Sequence, residues 1–371
     1  MAFCLLKVEQ SCNAAPTSGK IETMNSPQPL SYPQEQLPEP GVAVELAPGV
    51  RWLRMPLPFA LNHINLWLIE DGVDASGSAL WTAVDTGVCV DIIKDNWRLL
   101  LKEYPLRRQI VTHCHPDHLG LAAWLEKETG APLWMTLGEY LTAHMLCEQI
   151  DGYSIARMLE LFKAHGLDEP RLEALGQRGN AYRNGVPEIP STYRRLFVGQ
   201  DIAIGRRNWR VMVGFGHSPE HAALYCEEAH LLISGDMLLP RISTNISVMA
   251  ANPDSNPLGL FLGSIARFKT LPEDTLVLPS HGLPFRGIHA RVAQLEDHHK
   301  ERCAALLAAC TTPKTACELI PVLFSREISD AHQAMFAMGE AMAHLNYLEQ
   351  AGSLRRLQDR GTTRFVIEGN T

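Results

Sequence analysis

Several things are scarce in this sequence. It nowhere runs to about 18 apolar residues in a row, so no segment reads as a membrane span. Its nine cysteines include no Cys-x-x-Cys pair and form no small disulfide framework, which points to a reducing compartment. Positive charge is in deficit, with 33 Lys and Arg against 41 Asp and Glu and a formal net charge of -8. A chain with that balance has no general attraction to phosphate backbones, so nucleic-acid binding would need a local basic patch. The opening "MAFCLLKVEQ" lacks the charged lead and the length of a secretory signal core. The expectation is a cytoplasmic protein with no membrane partner.

What is present is ordinary for a globular chain: 371 residues, 46% hydrophobic and 20% charged, enough for about two or three domains. Residues 1–41 are rich in Pro, Ser, Gln and Glu and are expected to form a flexible tail. From residue 42 short β-type runs alternate with amphipathic stretches, which predicts an α/β fold with a layered sheet covered by helices. Residues 137–195 interrupt this rhythm with long helical patterns, the kind of insertion that builds a lid or pocket wall. From residue 289 three helical stretches lead to a terminal hairpin that Arg360-Gly361 can turn.

One decapeptide concentrates the chemistry. "VTHCHPDHLG", residues 111–120, places three of the chain's 15 histidines and one aspartate within six positions. A bland explanation exists: a strand-to-helix turn, with Asp117 as a cap and Pro116 in the first turn. It explains one histidine, not three, and neutral imidazole is the commonest metal ligand. Further His and Asp residues close other apolar β-type runs: Asp85 in "AVDTG", His217 in "GFGHSPEH", Asp236 in "LISGDM" and His281 in "LPSHG". In a layered sheet the C-terminal ends of strands converge on one rim, where ligands commonly bind.

This ordered set, Asp85, His113-x-His115-x-Asp117-His118, His217, Asp236 and His281, resembles the metallo-β-lactamase superfamily over about residues 42–288. The resemblance implies a four-layer αββα fold with two bound divalent metal ions, Zn2+ first and Fe2+ or Mn2+ as alternatives. It assigns His113, His115 and His217 to one ion, Asp117, His118 and His281 to the other, and Asp236 to a bridge. Asp85 would orient the ligand loop. A hydroxide shared by the two ions would be the nucleophile, with Asp117 and Asp236 as the catalytic carboxylates that hold those ions. Residues 289–371 resemble, by element order alone, the small winged-helix domain that follows the catalytic domain in one branch of the superfamily.

Other residues are open at this level. His63, His221, Arg241 and Asn245 are possible substrate contacts, as are Ser243 and Thr244; each is equally an ordinary surface or satisfied polar residue. Cys114, between two ligands in an extended segment, should point away from them and pack.

The HxHxDH form favours hydrolysis, where HxExD would mark the oxygen-reducing di-iron relatives. With both Asp117 and His281 the set resembles the glyoxalase II and lactonase type more than true β-lactamases. The expected substrate is a small-molecule thioester or related acyl ester, with a lactone second. An endoribonuclease-type phosphodiesterase is the competing class, because "SLRRLQDRGTTRF" is locally basic. A solvated hairpin explains that segment more simply, because the acidic balance disfavours nucleic acid.

Overall fold

The computed structural model describes residues 29–34, 36–58, 61–324, 328 and 330–369. Alternation along the first strands decides the layering. Strands β1 (Val44–Ala47), β2 (Val50–Pro56), β3 (His63–Val73), β4 (Ala79–Val84), β5 (Leu106–Ile110), β6 (Leu133–Met135) and β7 (Arg194–Arg195) form a sheet in sequence order. The β1–β4 pairs are antiparallel and the β4–β7 pairs parallel. Successive side chains on a strand face opposite ways. Thus Trp52 and Trp67, direct cross-strand partners stacked at 6.2 Å, point into one core, while Leu53, Leu66 and Leu68 point into another.

The outer core is closed by α1 (Asp91–Leu100), which buries Ile93 and Trp97, and by α3 (Ala122–Thr129), which buries Leu125. The short α2 (Pro116–Leu119) precedes α3. The inner core is completed by a second sheet, made of β8 (Asp201–Ile204), β9 (Arg207–Gly214), β10 (His221–Cys226), β11 (Leu231–Gly235) and β12 (Leu276–Pro279) in the order β12-β11-β10-β9-β8. Its other face packs on α8 (Pro257–Ala266) and α9 (Ile288–Ala309). The four layers are helix, sheet, sheet, helix, as expected.

Between β6 and β7 lie α4 (Leu137–Cys147), α5 (Ile155–Ala164), α6 (Glu169–Gly176) and α7 (Ala181–Gly185), the insertion anticipated over residues 137–195. After α9 come α10 (Ala316–Leu323), α11 (Ala331–Gln350) and the hairpin β13 (Leu354–Asp359) and β14 (Thr362–Ile367). Arg360 and Gly361 both take positive φ, 47° and 83°, as a two-residue hairpin turn requires. These C-terminal elements share one apolar core with α5, α6 and α8, including Phe162, Leu175, Phe261, Met338 and Phe365.

The helix after the histidine motif starts at Pro116, because proline suits the first helical position. It then breaks at Leu121, whose N–H leaves the helical ladder for Gly87 O. The tail expected over residues 1–41 lies mostly outside the described residues, but its described end is docked. Ser31 exchanges backbone hydrogen bonds with Arg286, and Leu30 and Tyr32 pack on the core. Among the described residues no helix is long and apolar enough to cross a membrane.

Candidate metal centre

Five strands deliver the site. Asp85 follows β4, the 113–118 motif follows β5, His217 follows β9, Asp236 follows β11 and His281 lies just past β12. In the second sheet β9, β11 and β12 run in one direction, so their C-terminal ends share a rim. His113, Asp117, His118, Asp236 and His281 are buried there.

The structure brings all seven ligand-type residues together in two groups. One ligand atom from each of His113, His115, His217 and Asp236 lies within 4.8 Å of the others, and so do those of Asp117, His118 and His281. Asp236 spans the groups: Oδ2 is 3.5 Å from His217 Nε2, while Oδ1 is 3.4 Å from His281 Nε2 and 3.7 Å from His118 Nε2. Asp117 Oδ2 lies 3.4 Å from His281 Nε2.

The surrounding hydrogen bonds choose the tautomers. His118 Nδ1 donates to Asp85 Oδ2 at 2.8 Å, His217 Nδ1 to Asn245 O at 2.8 Å, and His281 Nδ1 to His63 O at 2.9 Å. His113 Nδ1 donates to Thr112 Oγ1 at 3.0 Å, and that hydroxyl donates onward to Asp85. Each of these imidazoles therefore uses Nδ1 outward and turns Nε2 inward, toward the cluster. His113 Nε2 and His217 Nε2 face one another at 3.2 Å, and His113 Nε2 lies 2.8 Å from His115 Nδ1. Facing lone pairs repel unless a cation lies among them.

The residues fit divalent metal ions. Donor atoms at about 2.0–2.2 Å from a tetrahedral ion sit roughly 3.3–3.6 Å apart, in the middle of the 3.2–3.7 Å range of the separations above, the 2.8 Å pair being tighter. His118 Nε2 and Asp236 Oδ1 are buried without any hydrogen-bond partner, an expensive condition that a bound cation relieves.

Electrostatics agree. Burial, reinforced by neighbouring imidazoles, pushes His113 and His115 well below the usual histidine range and so keeps their lone pairs open. For His118 burial is overcome by Asp85, Asp117 and Asp236, which pull it up to about 10. Burial also opposes ionisation of Asp117, yet His118 and His281 hold its carboxyl well below the usual range. The carboxylates thus retain a cationic partner even in the protein alone.

Asp85 adopts φ 62°, left-handed backbone that is uncommon outside glycine. In this conformation one carboxylate reaches Thr112 N–H at 2.8 Å and His118 at once. Glycine is required at 235: its φ is 55°, and a Cβ would lie 2.3 Å from the His221 ring.

The possible substrate contacts divide. Asn245 lines the cavity beside the site, and its carbonyl orients His217. His221 does not: it is fully buried beneath His113, 4.8 Å ring to ring, and its Nε2 accepts from Asp236 N–H at 3.1 Å. His63 uses both ring nitrogens locally, on Asn62 Oδ1 and Gly282 N–H, and so acts on the His281 loop. Arg241 is exposed over the Tyr32 ring, away from the cavity. Thr244 donates to Asp236 O at 2.5 Å. Cys114 packs among Val111, Leu119 and Ala143, and burial raises its thiol well above the usual range.

Sequence reasoning missed Glu139, on α4. Its buried carboxylate accepts from Cys114 N–H at 2.9 Å, Ser218 Oγ at 2.6 Å and Glu220 N–H at 2.7 Å, tying the loops of His113, His115 and His217 together. In sequence it is one acid in the first turn of a helix, where acids are common.

A cavity of about 550 Å³ adjoins the site. His115 and His217 are part of its wall, which is otherwise mainly apolar and includes Phe215, Leu146, Met158 and Phe162.

A family model described as "Metallo-beta-lactamase superfamily" matches residues 63–281, and one described as "Metallo-beta-lactamase-like, C-terminal domain" matches residues 303–368. The chain is 24% identical over 330 residues to "Probable metallo-hydrolase YqjP" of Bacillus subtilis, covering 84% of this chain and 96% of that protein. It is 46% identical to a beta-lactamase domain protein from Burkholderia ambifaria of known crystal structure, with a TM-score of 0.83 over 91% of this chain and 97% of that one. A metallo-beta-lactamase family protein from Thermus thermophilus, TTHA1429, is 30% identical, with a TM-score of 0.72 over 87% of this chain and all of that one (100%).

Proposed function

We propose a substrate class for this chain, which belongs to the metallo-beta-lactamase superfamily and is a metal-dependent hydrolase: it cleaves a thioester or related acyl ester. The observation that carries this reading is the cavity of about 550 Å³, largely apolar, with His115 and His217 in its wall. Pockets of this size bury most of a small-molecule ligand. A carbonyl attached to an apolar group can lie against the donor cluster while that group leaves water.

His113, His115, His217 and Asp236, and Asp117, His118 and His281, would hold divalent ions, which when bound would supply Lewis acidity and an activated water. Zn2+ suits this donor set, with Fe2+ and Mn2+ as alternatives. The chain's own residues do the rest. Asp85, Thr112, Asn245 and the His63 carbonyl fix the imidazoles, so little reorganisation remains for the reaction. Tyr182, whose hydroxyl donates to Cys114 O at 2.5 Å, joins the insertion to the ligand loop along the cavity wall. Hydrolysis of a thioester breaks the C–S bond and yields carboxylate and thiol; no protein nucleophile is needed.

The phosphodiesterase alternative is weakened, because two of the four arginines of the basic hairpin pair within the protein. Arg356, in the basic hairpin, pairs with Asp254 and Glu349, and Arg364 pairs with Glu318. Both face acids of the protein itself. The free cysteines, Cys114, Cys147 and Cys226 among them, support a cytoplasmic setting.

The test is a panel of acyl thioesters, lactones and single-stranded RNA offered to the metal-loaded protein and to Asp236→Asn. Thioester turnover that Asp236→Asn abolishes supports the proposal. Cleavage of RNA with no thioester turnover overturns it.

A further inference from the structure

Helix α11 lies in the C-terminal segment, yet it reaches the metal centre. Val248 N–H donates to Gly339 O at 3.3 Å, and a Cβ at Gly339 would meet Ser247 Oγ at 2.5 Å. The loop so contacted is the one whose Asn245 carbonyl holds His217. On the turn before Gly339, Met335 and Phe336 join the wall of the same cavity, opposite contributions from α5 (Met158, Phe162) and α6 (Leu175). Met158 and Met335 are only partly buried, whereas Phe162 and Leu175 are buried in the shared core. Methionine side chains are flexible and polarisable and adapt to a moving apolar partner. The guanidinium in this region, Arg178, is turned to His332 Nδ1 at 2.5 Å, joining the end of the insertion to the start of α11.

We propose that the cavity wall formed by α5, α6 and α11 holds an unbranched hydrocarbon chain attached to the scissile carbonyl group, and that α11 sets the chain length accepted. This rests on the ester and thioester reading. The C-terminal segment is then a specificity wall for the metal centre. Methylenes that leave water for this wall favour binding by about fourfold each, so a long chain outcompetes an acetyl group by a wide margin. The chain can enter from the acyl side or from the leaving thiol; the cavity chemistry is common to both.

The experiment uses the full metal-loaded chain. Straight-chain acyl thioesters of one small thiol, acetyl to dodecanoyl, are compared with acetyl thioesters of thiols of increasing length. kcat/KM is expected to climb by about fourfold per methylene in one series, which also identifies the side that carries the chain; flat profiles in both overturn the proposal. Met335→Trp and Met158→Trp fill the cavity from opposite walls and are first checked for an unchanged melting profile. Each is expected to lower the long-to-short kcat/KM ratio about tenfold or more, and an unaltered ratio in both overturns it. Calorimetric binding of dodecanoate gives a readout without turnover. Wild type should bind it, and both tryptophan variants should bind it about tenfold more weakly; equal binding by all three overturns the proposal. Dodecanoate binding that responds to both substitutions, with no thioester cleaved at any length, overturns the thioester reading and leaves the chain-binding wall intact.

Discussion

Glu139 Oε1 accepts a 2.6 Å hydrogen bond from Ser218 Oγ, and through it the insertion helix α4 holds the loop that carries His217. The other oxygen, Oε2, accepts from Cys114 N–H between His113 and His115. One buried carboxylate therefore sets the distance between two ligand loops. Glu139→Gln keeps the size but introduces two donors where the protein already presents three. Leaving buried groups unsatisfied costs about 1–3 kcal/mol, and loss of groups that orient ligands costs roughly 10–100-fold in metal affinity. Metal titration with a chelator competitor should show that loss while the circular dichroism spectrum is kept; wild-type affinity would show that Glu139 positions nothing.

Asp85→Asn isolates charge from backbone. Asparagine tolerates positive φ better than most residues, so the turn at 62° survives. The carboxylate that accepts from both His118 and Thr112 does not. Metal affinity should fall by about 10–100-fold, while the circular dichroism spectrum of the metal-free protein is kept. A large stability loss with undiminished affinity would make Asp85 a structural turn residue only.

Gly235→Ala should be destabilising out of proportion to one methyl group. Its Cβ would meet the His221 ring at 2.3 Å, in backbone at φ 55°. Strain of this kind costs roughly 1–3 kcal/mol for the conformation, and overpacking adds a similar amount. Thermal unfolding of the metal-free protein measures it; an unchanged midpoint would mean that His221 can move aside freely.

The C-terminal core supplies a pH test away from the ligands. Burial pushes Glu340 up to about 7 from an ordinary 4.5, opposed by Arg302. Between those values the folded chain holds a proton that the unfolded chain has lost, so wild type loses stability as pH rises from about 4.5 to 7 and stays at the lower level above that. His344, lowered to about 4 by burial, acts with the opposite sign below pH 6.5, but it is common to both proteins. Glu340→Gln should therefore gain on wild type across this window, by up to roughly 3 kcal/mol at about pH 8. A difference that is flat with pH would contradict it.

How much was legible beforehand follows from sequence distance. His113, His115, Asp117 and His118 announce themselves within six positions, and the layered fold is written in the alternation of short β-type runs with amphipathic stretches. Asp85, His217, Asp236 and His281 are readable because each closes an apolar strand. Glu139 is not: its partners Cys114 and Glu220 lie 25 and 81 residues away, and nothing local distinguishes it from a helix-start acid. His221 and His63 were ambiguous for a related reason. A buried histidine that accepts a backbone N–H and one that faces substrate have the same sequence signature, and only their neighbours separate them. The reach of α11 to the cavity depends on Gly339, which in sequence is simply a poor helix former.

The central claim is a pair of metal sites shared through Asp236, and elemental analysis of the purified, metal-loaded chain addresses it directly. Two divalent ions per chain in wild type, and about one in His118→Ala, is the predicted result. No stoichiometric metal in wild type, or an unchanged content in His118→Ala, would contradict it.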